Sequence, residues 1–208
     1  MAGEVGAVTE PAHERPRPLR VRRWFARTAL RLTGWTHVGT VPRTGIFLGA
    51  PHTSNWDFVL TVLVLWSDGV TPRVLVKQEM FWWPLGVLLR ALGAVATDRR
   101  GGAGLVRRLV AEAESDRGFA LVLAPDGTRT KTDHWKSGFY RLSRETGLPV
   151  TLGFIDGPTR CTGVGPTIEL TGDVRADMDV IRTFYADKDG VRPGLGSTVR
   201  LREEDRAA

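Results

Sequence analysis

A single cysteine, Cys161, stands in the whole sequence. An intramolecular disulfide and a cysteine-based metal site are therefore excluded, and a reducing cytoplasm is the compartment that fits. Long apolar runs are also missing. The longest, Phe58 to Trp66, is interrupted by Thr61 and falls well short of the ~20 residues that cross a bilayer. The first residues scatter Glu, Pro and Arg among small side chains, so no signal peptide is expected. Zinc-finger spacings and RNA-binding aromatic signatures are absent, and many of the seven tryptophans lie in apolar settings rather than basic stripes. That argues against a nucleic-acid partner.

What is present describes one ordinary domain. The 208 residues are 42% hydrophobic and 25% charged, enough to bury a core without covalent staples. A formal charge of +6 points to an anionic partner, such as a membrane surface or a phosphorylated substrate. Residues 1–18 carry Pro11, Pro16 and Pro18 among charges and are expected to be disordered. Residues 19–36 read as a basic amphipathic helix. Val21, Trp24, Phe25, Thr28, Ala29 and Leu32 share one stripe and Arg20, Arg23, Arg27 and Arg31 lie around the other. Such a helix either packs on the domain through its aromatic stripe or lies in a membrane interface. Residues 37–190 form the folded domain and 191–208 a C-terminal tail.

Within the domain, short apolar runs alternate with helical patterns. Strands are expected at Ile46 to Gly49, Val74 to Lys77, Ala94 to Thr97, Phe119 to Leu123, Pro149 to Ile155 and Thr167 to Leu170. Helices are expected from about Asn55 to Trp66, Phe81 to Leu92, Gly104 to Glu114, Lys136 to Glu145 and Asp177 to Ala186. The alternation implies an α/β fold with a mostly parallel sheet flanked by helices. Ligands of such sheets sit outside the carboxyl ends of the strands. Three polar turns fall there: Pro51 to Asp57, Asp98 to Gly102 and Pro125 to Thr130.

Four residues separate His52 from Asp57. On a continuous helix, at about 100 degrees per residue, the two side chains would diverge. They meet if His52 ends a strand and Asp57 lies in the first turn of the next helix, with Thr53, Ser54 and Asn55 as candidate N-caps. A carboxylate on one ring nitrogen fixes the tautomer and leaves the other nitrogen as a general base. No serine or cysteine nucleophile accompanies them, so the hydroxyl to be deprotonated belongs to a substrate. Ser54-x-x-Asp57 is equally a capping-box spacing, in which Asp57 serves only the helix start.

Two further loops offer cations. Asp98-Arg99-Arg100-Gly101-Gly102 follows a short strand, and an arginine fork there suits a phosphate, although a plain charged loop has the same composition. Pro125-Asp126-Gly127 is a turn signature, followed directly by Thr128-Arg129-Thr130-Lys131. Arg129 and Lys131 suit a phosphate, and turn N–H groups suit an oxyanion.

In this order and at these spacings the motifs resemble the lysophospholipid acyltransferase family, which includes the 1-acylglycerol-3-phosphate acyltransferases. The matching segments are His52-Thr-Ser-Asn-Trp-Asp57, Gly93-Ala-Val-Ala-Thr-Asp98-Arg99, Pro125-Asp126-Gly127-Thr128-Arg129-Thr130 and Leu148-Pro149-Val150. Lys77 to Gly86 looks like the family's connection between its first two blocks. Pro51 stands where an asparagine is common, and Asp126 where a glutamate is usual. The resemblance implies a glycerolphosphate acyltransferase-like fold and O-acyl transfer from acyl-CoA or acyl-ACP to a lysophospholipid, most simply 1-acylglycerol-3-phosphate. It gives His52 and Asp57 the catalytic roles, and Arg99, Asp126, Gly127, Thr128 and Arg129 the binding of the acceptor. Neither metal nor cofactor is expected, the acyl thioester being a co-substrate. Expected partners are the two substrates, an anionic membrane surface and acyl carrier protein, with the protein cytoplasmic and peripheral on the inner face of the cell membrane. Transfer to a glycolipid or glycerol-type acceptor, thioester hydrolysis and noncatalytic binding of anionic lipid are the competing readings.

Overall fold

The computed structural model describes residues 17–97, 102–116 and 118–206. Seven strands form one sheet in the order β1-β7-β6-β2-β5-β3-β4. They are β1 (Thr36–Val38), β2 (Gly45–Ala50), β3 (Arg73–Lys77), β4 (Ala94–Thr97), β5 (Ala120–Leu123), β6 (Val150–Asp156) and β7 (Cys161–Ile168). Every pairing is parallel except β6 with β7. The expected mostly parallel sheet is thus present, while the last strand, expected at Thr167 to Leu170, is β7 and begins earlier. Residues 161–168 return as an antiparallel hairpin partner of β6, and β1 pairs in parallel on its outer side.

Helices α1 (Arg17–Leu32), α2 (Trp56–Asp68), α3 (Leu85–Ala91), α4 (Gly102–Ser115), α5 (Gly138–Thr146), α6 (Val174–Tyr185) and the short α7 (Arg202–Arg206) complete the fold. Side chains alternate across β2 and divide the core. Ile46, Leu48 and Ala50 join Leu109 of α4, Phe139 and Leu142 of α5, and Met178 and Ile181 of α6. Phe47 joins Val62, Val64 and Leu65 of α2 on the other face. Both faces of β2 are covered, which is why its sequence is a continuous apolar run rather than an alternation. Phe119 and Phe139 are almost fully buried, and truncating either to Ala would cost ~3–5 kcal/mol.

Helix α1 corrects the expected orientation. It packs through Ala26 and Leu30, which meet Leu60 and Leu63 of α2. Val21, Trp24, Phe25 and Leu32, expected to face inward, are 52–83% exposed. The two buried side chains are one turn apart, and the small one lets the helices approach closely. The expected helix from Phe81 is also shorter: a 3-10 turn at Gln78–Met80 precedes α3, which begins after Pro84. Proline lacks the N–H that a helix interior needs but is tolerated at its start. Among the described residues no helix is long and apolar enough to cross a membrane.

Beyond residue 190, expected as a tail, the chain runs back over the carboxyl ends of the strands. Leu201 is fully buried and bridges Trp135. The Arg200 carbonyl accepts the Trp135 N–H at 2.7 Å, and the Thr132 carbonyl accepts the Thr198 N–H at 2.9 Å.

Candidate active site

β2 ends at Ala50 and α2 begins at Trp56, so Pro51 to Asn55 form the turn that the His52–Asp57 spacing requires. His52 Nδ1 lies 3.0 Å from Asp57 Oδ2. The same oxygen accepts the backbone N–H groups of Thr53 and Ser54, each at 2.7 Å. Dyad and cap, which the sequence offered as alternatives, are one arrangement. Ser54 Oγ accepts the Trp56 N–H at 3.2 Å, so the hydroxyl of residue 54 caps the helix although Asn55 occupies the N-cap position without a side-chain bond. Asp57 is 4% exposed, its Oδ1 has no hydrogen-bond partner among the described residues, and it sits in the first turn of α2, where the helix dipole favours an anion. A carboxylate on Nδ1 assigns the proton to that nitrogen. Nε2 is then the basic nitrogen, with no partner among the described residues, on a side chain that is 25% exposed.

The loop after β5 lies beside this turn because β2 and β5 are paired in parallel, with Leu48 opposite Leu123. Asp126 is 1% exposed, and its Oδ2 accepts the backbone N–H of His52 at 3.2 Å. The aspartate, shorter than the glutamate usual there, reaches the His52 backbone rather than its ring. Burial pushes its carboxyl up to about 6, against the smaller downward pull of the His52 N–H, the His52 charge and the Ser197 hydroxyl. Gly127, at φ 65, adopts the left-handed conformation that the Pro-Asp-Gly turn needs. Thr128 is half-buried and shares a 3.0 Å hydroxyl contact with Thr130. Arg129 is exposed and forms no ion pair among the described residues.

Of the residues assigned from sequence, His52, Asp57, Asp126, Gly127, Thr128 and Arg129 thus come from two adjacent strand ends. Arg99 lies outside the described residues.

Sequence reasoning missed the third side of the site. Thr53, 1% exposed, is clamped from the carboxy-terminal segment: its hydroxyl accepts the Arg192 N–H at 3.0 Å. A Cβ on Gly190 would lie 2.6 Å from that hydroxyl. Thr132 N–H meets Ser197 Oγ at 3.1 Å, tying the segment to the Pro125 loop as well. The available signal was the cluster Gly190, Gly194 and Gly196, at the junction of the expected domain and the expected tail. Such glycines mark close backbone approach as readily as looseness.

A histidine steered by a carboxylate, at the edge of a sheet and beside a polar loop, can deprotonate a bound hydroxyl. Comparison with known proteins agrees in chemistry. The chain is 32% identical over 123 residues to a glycerol-3-phosphate acyltransferase from Pseudoalteromonas atlantica, an alignment covering 55% of this chain and 14% of the relative. It is 29% identical over 112 residues to a 1-acyl-sn-glycerol-3-phosphate acyltransferase from Cocos nucifera, covering 51% and 35%. The chain therefore spans about a seventh and a third of the lengths of these two curated relatives. Its fold is similar to that of the crystal structure of the 1-acyl-sn-glycerophosphate acyltransferase PlsC from Thermotoga maritima. The TM-score is 0.56 at 15% identity, over 82% of this chain and 80% of that one. The acyltransferase family model matches residues 32–152, more than half the chain and the whole span from the end of α1 through both loops to β6, and on that match the chain belongs to the acyltransferase family.

Proposed function

We propose that the protein transfers a fatty acyl group from a thioester on coenzyme A or acyl carrier protein to the hydroxyl of a lysophospholipid, with 1-acylglycerol-3-phosphate as the simplest acceptor. The observation that carries this reading is the 3.0 Å contact between His52 Nδ1 and Asp57 Oδ2, which leaves Nε2 basic beside the Pro125 loop. His52 Nε2 takes the proton of the acceptor hydroxyl, and the oxygen attacks the thioester carbonyl carbon. The tetrahedral intermediate collapses by breaking the C–S bond. The departing sulfur takes the proton back from the imidazolium, so an ester and a free thiol are formed and no acyl-enzyme intervenes. Asp57 orients the ring and supports its transient charge. General-base catalysis of this kind is worth typically ~100 to 10,000-fold in rate.

The acceptor's phosphate is assigned to Arg99 and Arg129, with Asp126, Gly127 and Thr128 shaping the pocket. Exposed apolar side chains support a peripheral position on the inner face of the cell membrane. Among the described residues, and apart from Val38, Val180 and Leu195, the large hydrophobic residues that are exposed lie in α1, the first turns of α2 and the segment from Trp82 to Leu88. On α1, Trp24 and Phe25 share a helix with exposed Arg20, Arg27 and Arg31, a composition suited to an anionic lipid interface.

The experiment is a screen of lysophospholipids and glycolipids with acyl-CoA and acyl-ACP, read by mass spectrometry, on wild type and His52→Ala. Ester formation lost in a folded His52→Ala protein is the expected result. A variant that keeps substantial transfer ends the general-base role, and free fatty acid without ester would make the protein a thioester hydrolase.

A further inference from the structure

The His52–Asp57 contact spans two layers of the fold. His52 follows β2 of the sheet, whereas Asp57 belongs to α2, which packs on one face of that sheet. The pair stays in register only if helix and sheet keep their spacing, and a displacement of about 1 Å at a reacting group can cost roughly 100-fold in rate. The segment from Asp189 to Ser197 touches both layers and the turn between them.

Its hold on the sheet is at the end of β6. Asp156 Oδ1 accepts the Asp189 N–H at 3.2 Å, and the Gly190 carbonyl accepts the Gly157 N–H at 2.8 Å. Its hold on the helices is Val191, which packs against the cluster of Ala26 and Leu30 from α1 with Leu60 and Leu63 from α2. The next residue, Arg192, donates its N–H to Thr53 Oγ1 at 3.0 Å. Contacts fall on either side of His52. A Cβ on Gly190 would lie 2.6 Å from Thr53 Oγ1, and one on Gly196 would lie 3.3 Å from Pro51 Cβ. Thr53 is 1% exposed, and Asp57 Oδ2 accepts its N–H at 2.7 Å. One residue thus takes a bond from the segment and gives one to the carboxylate that steers the ring. The family model matches residues 32–152. Ala26 and Leu30 precede that span and Val191 and Arg192 follow it, so the two flanks meet each other at Val191 and meet the matched span at Thr53.

We infer that Thr53 is a positioning residue for His52, held through Arg192 and Val191 by the packing of α1, so that the two flanks together brace the His52–Asp57 pair. The kinetic consequence rests on the acyl-transfer reading and deepens it. The brace itself is read without any substrate.

Amide exchange on the full chain, with steady-state kinetics on a detergent-dispersed acceptor, tests it. Leu30→Ala alters the packing of α1 and touches no residue assigned to a substrate. It should speed exchange of the Thr53 amide at least about tenfold more than that of Leu48 in β2, and lower kcat about tenfold with KM unchanged. A purely structural loss would speed both amides alike. Thr53→Val keeps the side-chain shape but removes the acceptor, and should lower kcat about 10- to 100-fold. Thr53→Ser should restore most of it. In the double variant the loss should not exceed that of Thr53→Val alone, whereas independent sites multiply their effects. Val191→Ala, with the same expectations, takes the place of Leu30→Ala if that variant does not fold. Multiplied losses, equal acceleration of the two amides, or an effect on KM alone overturn the inference. Exchange as expected in a protein that esterifies no acceptor would sink the acyl-transfer reading and leave the brace standing. Ester formation with unresponsive exchange would do the reverse.

Discussion

The carboxylate of Asp126 accepts the backbone N–H of His52 at 3.2 Å across 74 positions of sequence. This bond holds the His52 turn to the neighbouring loop at the level of the main chain, leaving the imidazole to Asp57. Burial of the same carboxyl makes stability depend on pH. Burial raises the Asp126 carboxyl to about 6, above its unfolded value of about 3.9. The folded state therefore binds this proton more tightly. The contribution is full below the unfolded value and is lost as pH rises through about 6. At about 1.4 kcal/mol per pKa unit the loss is about 3 kcal/mol. Asp126→Asn, which never ionises, should gain on wild type by that order between about pH 4 and 7 in urea unfolding. A difference that stays flat with pH would refute the shift.

Asp57 serves ring and main chain with one oxygen. Asp57→Asn should therefore lose stability as well as rate, by about 1–3 kcal/mol for the disturbed buried bonds. His52→Ala should lose rate with little change in melting temperature. Equal melting temperatures for Asp57→Asn and wild type would show that the turn does not depend on the carboxylate.

Gly190 and Gly194 separate packing from backbone strain. Both have positive φ, 56 and 78, so Ala at either incurs the left-handed penalty of roughly 1–2 kcal/mol. Only at Gly190 would the new Cβ meet another side chain, Thr53 at 2.6 Å, whereas nothing lies within 4 Å at Gly194. Gly190→Ala should cut acyl transfer at least about tenfold more than Gly194→Ala, because it alone pushes the segment off the His52 turn. Matching kinetics for the two variants would remove that link.

Arg129 carries an exposed guanidinium with no ion pair among the described residues. Arg129→Ala should raise KM for a phosphorylated acceptor by about 10- to 100-fold, the range for a lost charged hydrogen bond, and leave a neutral acceptor nearly untouched. An equal loss for both would exclude phosphate binding there.

The exposed faces of Trp24 and Phe25 predict lipid attachment. Replacing both by Ser should weaken co-sedimentation with phosphatidylglycerol vesicles at least about tenfold, since each buried aromatic contributes roughly 1.5–3 kcal/mol. Turnover on a detergent-dispersed acceptor should persist. Unchanged vesicle binding would argue that the stripe faces water or another protein.

The parallel sheet was legible because β2 and β5 are short apolar runs, each followed by a turn and a helical pattern. The His52–Asp57 pair was legible because its spacing falls where a strand gives way to a helix. The orientation of α1 was not. Apolar residues occur on more than one side of it, and periodicity alone cannot tell that Ala26 and Leu30, rather than Trp24 and Phe25, meet α2. β1 and β7 were obscured for a different reason. β1 has three residues with no apolar run, and β7 contains Gly163, Gly165 and Pro166, which break a strand pattern. The wall formed beyond Tyr185 depends on contacts with residues more than 50 positions away, such as Thr132 with Ser197 and Thr53 with Arg192. Local composition carries no record of those.

The bonds that set the His52 turn join residues 74 and 139 positions apart. Long loops close late in folding, since their entropy is lost before distant contacts compensate it. A chain whose sheet has already assembled can thus be compact and still inactive, awaiting the return of its final segment. Amide exchange at His52 and Thr53 would time that last event, and recovery of turnover after refolding should follow it rather than the recovery of secondary structure.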